Sequence, residues 1–261
     1  MTTINKKLVI VSGSTGDLGR AYLNHYSKQD NTICYGLTRR DEQNPVNGVI
    51  YCKSDLEEVI ATKEQIQKIS LEDITEVLLV HPVGKFKFEY NGTPEIDYKQ
   101  DGIDDEVLAS NVNTFHNIVR PLIEQRKTYE TIPLTLVAFG SLSDQYSVPW
   151  WGSYSKSKLI LRKDMSELSQ VEQSVKSLFV NLSSVRTANE NKTRPHANST
   201  YWINPEEIVA KSVQTIEEMK HPYQEIDIFK PSPNYQEGYY KDFDTLRQKW
   251  LREMKGERQN E

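Results

Sequence analysis

The chain has 261 residues, with 32 Lys and Arg against 37 Asp and Glu, a formal net charge of −5. It therefore lacks the basic surplus that sequence-independent nucleic-acid binding requires. At 37% hydrophobic and 26% charged residues the composition is that of a folded globular protein rather than a disordered one. No apolar run approaches the ~20 residues that cross a bilayer. The opening MTTINKK runs straight into a strand-like LVIVSG and leaves no room for a signal-peptide core. The expectation is a soluble cytoplasmic protein with neither membrane nor nucleic acid among its partners. Cys34 and Cys52 sit in strand-like contexts without metal-ligand spacing and read as free thiols. No metal site is expected.

In chain order, Leu8 to Ser12 reads as a buried strand, 17–29 as a helix and Thr32 to Leu37 as a second strand. Val49 to Cys52 is a short third strand, followed by a helix to about Ile69. Glu76 to Val80 is a fourth strand, 103–127 a long helix, Leu134 to Phe139 a fifth strand and 152–170 another long helix. Val175 to Asn181, a helix over 205–220 and a strand from Glu225 to Phe229 complete the pattern. Short apolar strands alternating with helices predict an α/β fold, a doubly wound parallel sheet of about seven strands with helices on both faces. No linker interrupts it, so residues 1–261 are expected to form one domain. In a tail spanning 233–261, residues 240–255 place Phe243, Leu246, Trp250 and Met254 at helical spacing between charges. That stripe predicts an added C-terminal helix docked on its own subunit or on a partner.

The first strand–helix junction reads Gly13-Ser14-Thr15-Gly16-Asp17-Leu18-Gly19. Glycines there allow a tight turn, close backbone approach to a pyrophosphate and close packing of helix on strand. The helix N-terminus adds unpaired N–H groups that favour phosphate. The second strand ends in Gly36-Leu37-Thr38-Arg39-Arg40, with no acid to meet a ribose 2′-hydroxyl and two arginines suited to a 2′-phosphate. NADP(H) is therefore the preferred cofactor, with NAD(H) as the weaker fit. Asp55-Leu56 after the third strand either meets the adenine ring or, through Asp55, caps the next helix.

Tyr154 and Lys158 stand at i and i+4 in Tyr-Ser-Lys-Ser-Lys, so a helix sets both on one face. A free phenol titrates near 10, about three units too high for a base at neutral pH, and an adjacent ammonium lowers it. Such a pair can serve as a general acid/base if a third group holds the substrate. Ser141, at the end of the fifth strand, can hold a carbonyl oxygen. Asn111 is a poor interior helix residue and so suggests a local task, such as bonding a water. Taken singly, a Tyr and a Lys one turn apart also fit packing and snorkelling.

Together, GSTGDLG, Asn111, Ser141 and Tyr154-x-x-x-Lys158, in that order, resemble the short-chain dehydrogenase/reductase family over residues 7–230. The resemblance implies a Rossmann-like NAD(P)-binding fold. It implies that Tyr154 transfers a proton, that Lys158 binds the ribose and lowers the tyrosine pKa, that Ser141 orients the carbonyl and that Asn111 holds a relay water. It also implies a small carbonyl or alcohol substrate, and a homodimer or homotetramer through the 103–127 and 152–170 helices. The sequence departs from the common pattern in three places. The glycine turn is Gly-x-x-Gly-x-x-Gly, the spacing of the extended, sugar-nucleotide-modifying branch, yet the chain is short for that branch. The fourth strand ends in His81-Pro82-Val83-Gly84 where the family usually has Asn-Ala-Gly; Gly84 still permits close backbone approach to the cofactor. After the sixth strand, Leu182-Ser183-Ser184-Val185-Arg186-Thr187 stands where Pro-Gly-x-Val-x-Thr is frequent, which leaves Thr187 to meet the nicotinamide amide.

The next segment, 188–202, is polar and reads as a loop. It is either simply solvated or offers Lys192, Arg194 and His196 to an anionic substrate. Trp150 and Trp151 form either an apolar wall near Tyr154 or part of a core or dimer interface. His25, His116 and His221 read as structural. The leading expectation is a ketoreductase-type enzyme. The alternatives are a sugar-nucleotide epimerase or dehydratase and a catalytically silent nucleotide-sensing regulator.

Overall fold

The computed structural model describes residues 5–90, 102–129, 132–145, 148–230 and 242–257. Seven strands build one parallel sheet: β1 (Lys6–Ser12), β2 (Thr32–Thr38), β3 (Val49–Lys53), β4 (Ile74–His81), β5 (Leu134–Ser141), β6 (Val175–Leu182) and β7 (Tyr223–Ile228). Their order is β3-β2-β1-β4-β5-β6-β7. The chain winds outward from β1 to β3, then returns to β4 on the other side of β1. That reversal opens a crevice at the carboxyl ends of β1 and β4, where doubly wound sheets bind their ligands.

The central strands β1, β4, β5 and β6 are buried on both faces, so alternate residues feed two cores. Leu8, Ile10, Leu79, Leu136 and Ala138 enter one core with Phe115, Leu122, Leu161 and Met165. Val9, Val11, Leu78, Val80 and Val137 enter the other with Tyr22, Leu23, Ile208 and Val209. These partners come from α1 (Asp17–Tyr26) and α7 (Pro205–Glu218) on one face, and from α4 (Thr114–Arg126) and α5 (Gly152–Val171) on the other. Between β3 and β4 runs α2 (Val59–Gln67). No described helix is long and apolar enough to cross a membrane. Cys34 and Cys52 are free, and burial raises both thiol pKa values.

The expected 103–127 helix is interrupted. It begins as α3 (Asp105–Leu108), capped by Asp104, whose carboxylate accepts the Glu106 and Val107 N–H groups. It passes through a π turn over Ala109–Asn113 and resumes as α4. A π turn sets an extra residue into the helix and re-aims its side chains, a feature common at functional sites. Here it carries Asn111.

His81 ends β4 with its ring fully buried. Its Nε2 faces Thr114 Oγ1 at 3.2 Å and its Nδ1 faces Ser12 Oγ at 2.8 Å. Thr114 spends its own proton on the Ser110 carbonyl at 2.6 Å, so its oxygen accepts from the Nε2–H and the Ser12 hydroxyl donates to Nδ1. Burial, with the charge of Lys158 adding to it, lowers the imidazole pKa to about 3. A neutral His81 thus pins β1, β4 and α4 together.

Two segments follow β6. The expected loop begins with a short helix, α6 (Ala188–Thr193), whose cap Thr187 accepts the Glu190 N–H at 3.0 Å. Thr187-x-x-Glu190 is a capping-box spacing, the local signal for this helix. The C-terminal helix α8 (Phe243–Lys255) runs from the Asp242 cap to Gly256, which takes a φ of +73°. Leu246 and Trp250 dock, as the spacing predicts, but the buried face turns toward Leu251 and Glu253, while Met254 is half-buried. Residues 233–241 and 258–261 and the Phe243 side chain lie outside the described residues. The helix packs on its own subunit, with Leu246, Trp250 and Leu251 against Val148, Trp150 and Trp151.

Candidate active site

One cleft of about 1500 Å³ crosses the carboxyl ends of the strands. At its floor Gly13 has a φ of +59°, a conformation that suits glycine. The Gly16 N–H closes the turn on the Gly13 carbonyl at 3.0 Å. A Cβ on Gly19 would stand 2.5 Å from that same carbonyl, so α1 approaches the turn too closely for any side chain. Gly13, Thr15, Gly16, Asp17, Leu18 and Gly19 all border the cleft. Ser14 does not point that way. It is buried, and its hydroxyl donates to the Leu37 carbonyl at 3.1 Å, so its side chain faces the second strand rather than the cleft. Asp17 accepts the Ala188 N–H at 2.6 Å and so ties the start of α1 to α6.

Arg39, Arg40, Asp55 and Leu56 stand at the far end of the cleft. The Arg39 guanidinium is well exposed and lies 3.9 Å from Glu57, a loose surface pair that a phosphate can displace. Asp55 is not the cap of α2. Its carboxylate accepts the Glu57 N–H at 3.1 Å, in a turn that precedes the Glu58 cap.

At the near end Tyr154 and Lys158 stand one turn apart on α5, the ammonium 5.5 Å from the centre of the phenol ring. A Cβ on Gly84 would lie 3.2 Å from Lys158 Nζ and 3.3 Å from Asn111 Oδ1, so the glycine leaves room for both. Burial lowers the Lys158 pKa to about 8, with Asp144 opposing. Burial, then the charges of Glu190 and Asp144, raise the Tyr154 pKa, against a hydrogen bond with Ser141. In this state the phenol is a proton donor rather than a base. Ser141 borders the cleft beside Tyr154 and shares a 2.8 Å hydrogen bond with Ser143.

Asn111 is bonded on all sides of its amide to the turn after β4 and to α5. It is fully buried. Its Oδ1 accepts the Lys85 N–H at 2.5 Å, and its Nδ2 donates to the Lys85 carbonyl at 3.1 Å and to Ser157 Oγ at 2.8 Å. The side-chain amide holds the turn after β4 against α5, with both Nδ2 hydrogens engaged and Oδ1 accepting one bond. Thr187 reaches the cleft with its hydroxyl oxygen capping α6 and its proton still to donate.

The 188–196 segment does not present Arg194 to an anion. That side chain is buried, with Nε and Nη2 donating to Glu253 at 3.0 and 2.6 Å and Nη1 to Glu190 at 2.6 Å. His196 hydrogen-bonds through its backbone to Glu253, and its ring lies beside Gly256. Lys192 is exposed at the cleft edge. Both tryptophans belong to the core that receives α8; Trp150 has a φ of +61°, and Trp151 also borders the cleft, its ring centre 6.0 Å from that of Tyr154. Phe86, Ser143, Glu190 and Trp250 join the site without having been singled out for it. Phe86 meets Tyr154 edge-on at 5.4 Å, and Trp250 stacks on Trp151 at 4.5 Å.

No family model matches the chain, and no curated protein matches it. Its backbone is nevertheless similar to many solved structures. A variant of actinorhodin polyketide ketoreductase with NADPH superposes with a TM-score of 0.69 at 14% identity, covering 88% of this chain and 98% of that one. For 3-ketoacyl-(acyl-carrier-protein) reductase from Brucella melitensis with NADH the TM-score is 0.67 at 13% identity, with 86% and 97% covered. For an alcohol dehydrogenase from the archaeon Thermococcus sibiricus, complexed with 5-hydroxy-NADP, it is 0.67 at 15% identity, with 88% and 100% covered. The chain has the short-chain dehydrogenase/reductase fold, a Rossmann-like α/β architecture.

Proposed function

We propose that the chain is an NADP(H)-dependent oxidoreductase of the short-chain dehydrogenase/reductase type that interconverts a small carbonyl compound and its alcohol. The observation that carries this reading is that one cleft is bordered by the glycine turn, by Arg39 and Arg40, and by Ser141, Tyr154 and Lys158. The named neighbours include ketoreductases and dehydrogenases holding NADPH, NADH or an NADP derivative, which supports a nicotinamide cofactor.

The residues fit such a cofactor. Helix α1 begins at the Gly13–Gly19 turn, and the unpaired N–H groups of a helix N-terminus favour a pyrophosphate. Arg39, with Arg40 beside it, would hold the 2′-phosphate; Asp55 and Leu56 would meet the adenine; Lys158 would hold the ribose, and Thr187 the carboxamide. A nicotinamide cofactor held there would supply the hydride. Tyr154 then donates its proton to the substrate oxygen, Ser141 hydrogen-bonds that oxygen, and the Lys158 ammonium stabilises the phenolate left behind. The test is NADPH-dependent reduction across a panel of ketones and quinones. A protein that binds NADPH and turns over none of them would favour the regulator.

Two further results are expected. A charge-assisted contact contributes about 1.5–3 kcal/mol, so Arg39→Ala should raise the NADPH dissociation constant roughly ten- to hundredfold and barely change that for NADH. Equal affinity of the unaltered protein for both cofactors would refute the 2′-phosphate assignment. Cofactor affinity should also depend on pH. Lys158 keeps its proton below about 8 and loses it above. The NADPH dissociation constant should therefore climb as pH rises through that value, and Lys158→Met should flatten the profile. A fluorescence titration with the same slope in both proteins would remove Lys158 from the ribose site.

A further inference from the structure

An ion pair behind the site, between a buried carboxylate and a partly buried arginine, has no part in the mechanism above. Asp144 lies in the turn that follows Ser141 and Ser143, its side chain fully buried. Its Oδ1 accepts from Arg162 Nη2 at 3.0 Å. Arg162 is the residue one helical turn beyond Lys158 and two beyond Tyr154, on the same face of α5. The same Nη2 donates to Asn181 Oδ1 on β6 at 2.8 Å, and Nε lies 3.3 Å from Glu225 on β7. Asn181 in turn donates to Asp227 at 2.9 Å. The guanidinium face lies over Phe179, 5.2 Å from the ring centre. One arginine thus ties the end of β5 to α5, β6 and β7. The tie is local to the chemistry: the Ser143 N–H donates to Ser141 Oγ at 3.2 Å within the turn that Asp144 anchors. Asp144 Oδ2 is buried with no hydrogen-bond partner among the described residues.

We propose that Asp144 and Arg162 are positioning residues whose ion pair holds the Ser141–Ser143 turn against α5, so that Ser141 and Tyr154 address the same substrate oxygen. The inference rests on the function proposed above. The pair acts through geometry and also through charge. The Asp144 carboxylate favours the charged form of Lys158 and disfavours the phenolate of Tyr154; Glu190, from α6, acts on Tyr154 in the same sense. Removing the Asp144 charge should therefore lower both pKa values.

The experiment uses the full chain with Asp144→Asn, Arg162→Lys, Arg162→Met and the double variant Asp144→Asn/Arg162→Met. For each, kcat and KM for an accepted ketone, NADPH affinity against pH and thermal stability are measured. A misplacement of about 1 Å costs on the order of 100-fold. Asp144→Asn should thus lower kcat about 10- to 100-fold with NADPH affinity at neutral pH retained. The pH at which NADPH affinity falls should move below that of the unaltered protein. Arg162→Lys should recover part of the kcat lost in Arg162→Met. Where Arg162→Met fails to fold because Asp144 and Glu225 are left facing each other, the double variant relieves part of that charge and carries the measurement. Unchanged kcat in a folded Asp144→Asn, or loss of kcat with no movement of the pH profile, would overturn the proposal. If the unaltered protein reduces no carbonyl compound, the function itself fails. The pH profile of NADPH binding in Asp144→Asn then still decides whether the pair acts on Lys158, and an unmoved profile overturns it.

Discussion

Tyr154→Phe should lower carbonyl reduction by about 10²–10⁴-fold and leave the fold and NADPH affinity nearly intact. Hydride arrival leaves negative charge on the substrate oxygen, and a proton must reach it. The phenol of Tyr154 is held in its neutral form by burial and by the negative charges of Glu190 and Asp144. It is thus loaded for donation at neutral pH, the reductive direction. Ser141 can hold the same oxygen but is too weak an acid to complete the step. Phenylalanine keeps the ring that meets Phe86 and Trp151 edge-on, so the aromatic cluster should survive the change. Lys158→Met should behave differently, weakening cofactor binding as well as turnover, because the ammonium serves both. Steady-state reduction of an accepted ketone, with cofactor affinity read by fluorescence, separates the two variants. Near-normal turnover in Tyr154→Phe would remove the reductase mechanism and favour the regulator or another chemistry.

The seven strands and their helices were legible in the sequence because a two-faced sheet demands continuous apolar runs, and LVIVS, EVLLV and LTLVAF are such runs. The glycine turn and the i, i+4 placement of Tyr154 and Lys158 were legible for the same reason: local geometry dictates them. What escaped depends on contacts between distant segments. Nothing near Asn111 announces that its amide will clamp the backbone of Lys85, 26 residues away. Nothing near Ser14 says that its hydroxyl turns inward to the second strand. Nothing near Trp150 and Trp151 says that both will join the core under the C-terminal helix and that Trp151 will also border the cleft. The helix α6 was a different case. Its Thr187-x-x-Glu190 cap was written in the sequence, but the polar residues around it outweighed that signal. Arg194 looked like an anion receiver because its two partners, Glu190 and Glu253, come from α6 and from the C-terminal helix.

That arginine carries the second large expected effect. Glu253→Ala should destabilise the docked C-terminal helix by about 3 kcal/mol, the lower end of what removal of one partner from a buried ion pair costs. Arg194 is nearly fully buried, and its guanidinium lies 5.2 Å from the Trp250 ring centre and 5.4 Å from that of Trp202. Glu190 remains as a partner but is more exposed, so it offsets only part of the uncompensated charge. The loss should appear locally before it appears globally, because α8 is a terminal element with one docking face. Limited proteolysis should therefore cut within 242–257 well before the sheet unfolds in denaturant. Undocking removes Trp250 from its stack on Trp151, so ketone turnover should fall while NADPH affinity, which is assigned to the glycine turn, Arg39 and Lys158 rather than to Trp250, persists. Glu253→Gln keeps one hydrogen bond to the guanidinium and should lose less. The double variant Arg194→Met/Glu253→Met removes both charges and should recover most of the protease resistance, because the cost lies in the unpaired charge rather than in the missing pair. If Glu253→Ala were as resistant as the unaltered protein, the ion pair would contribute nothing to docking, and the apolar contacts of Leu246, Trp250 and Leu251 would have to hold α8 alone.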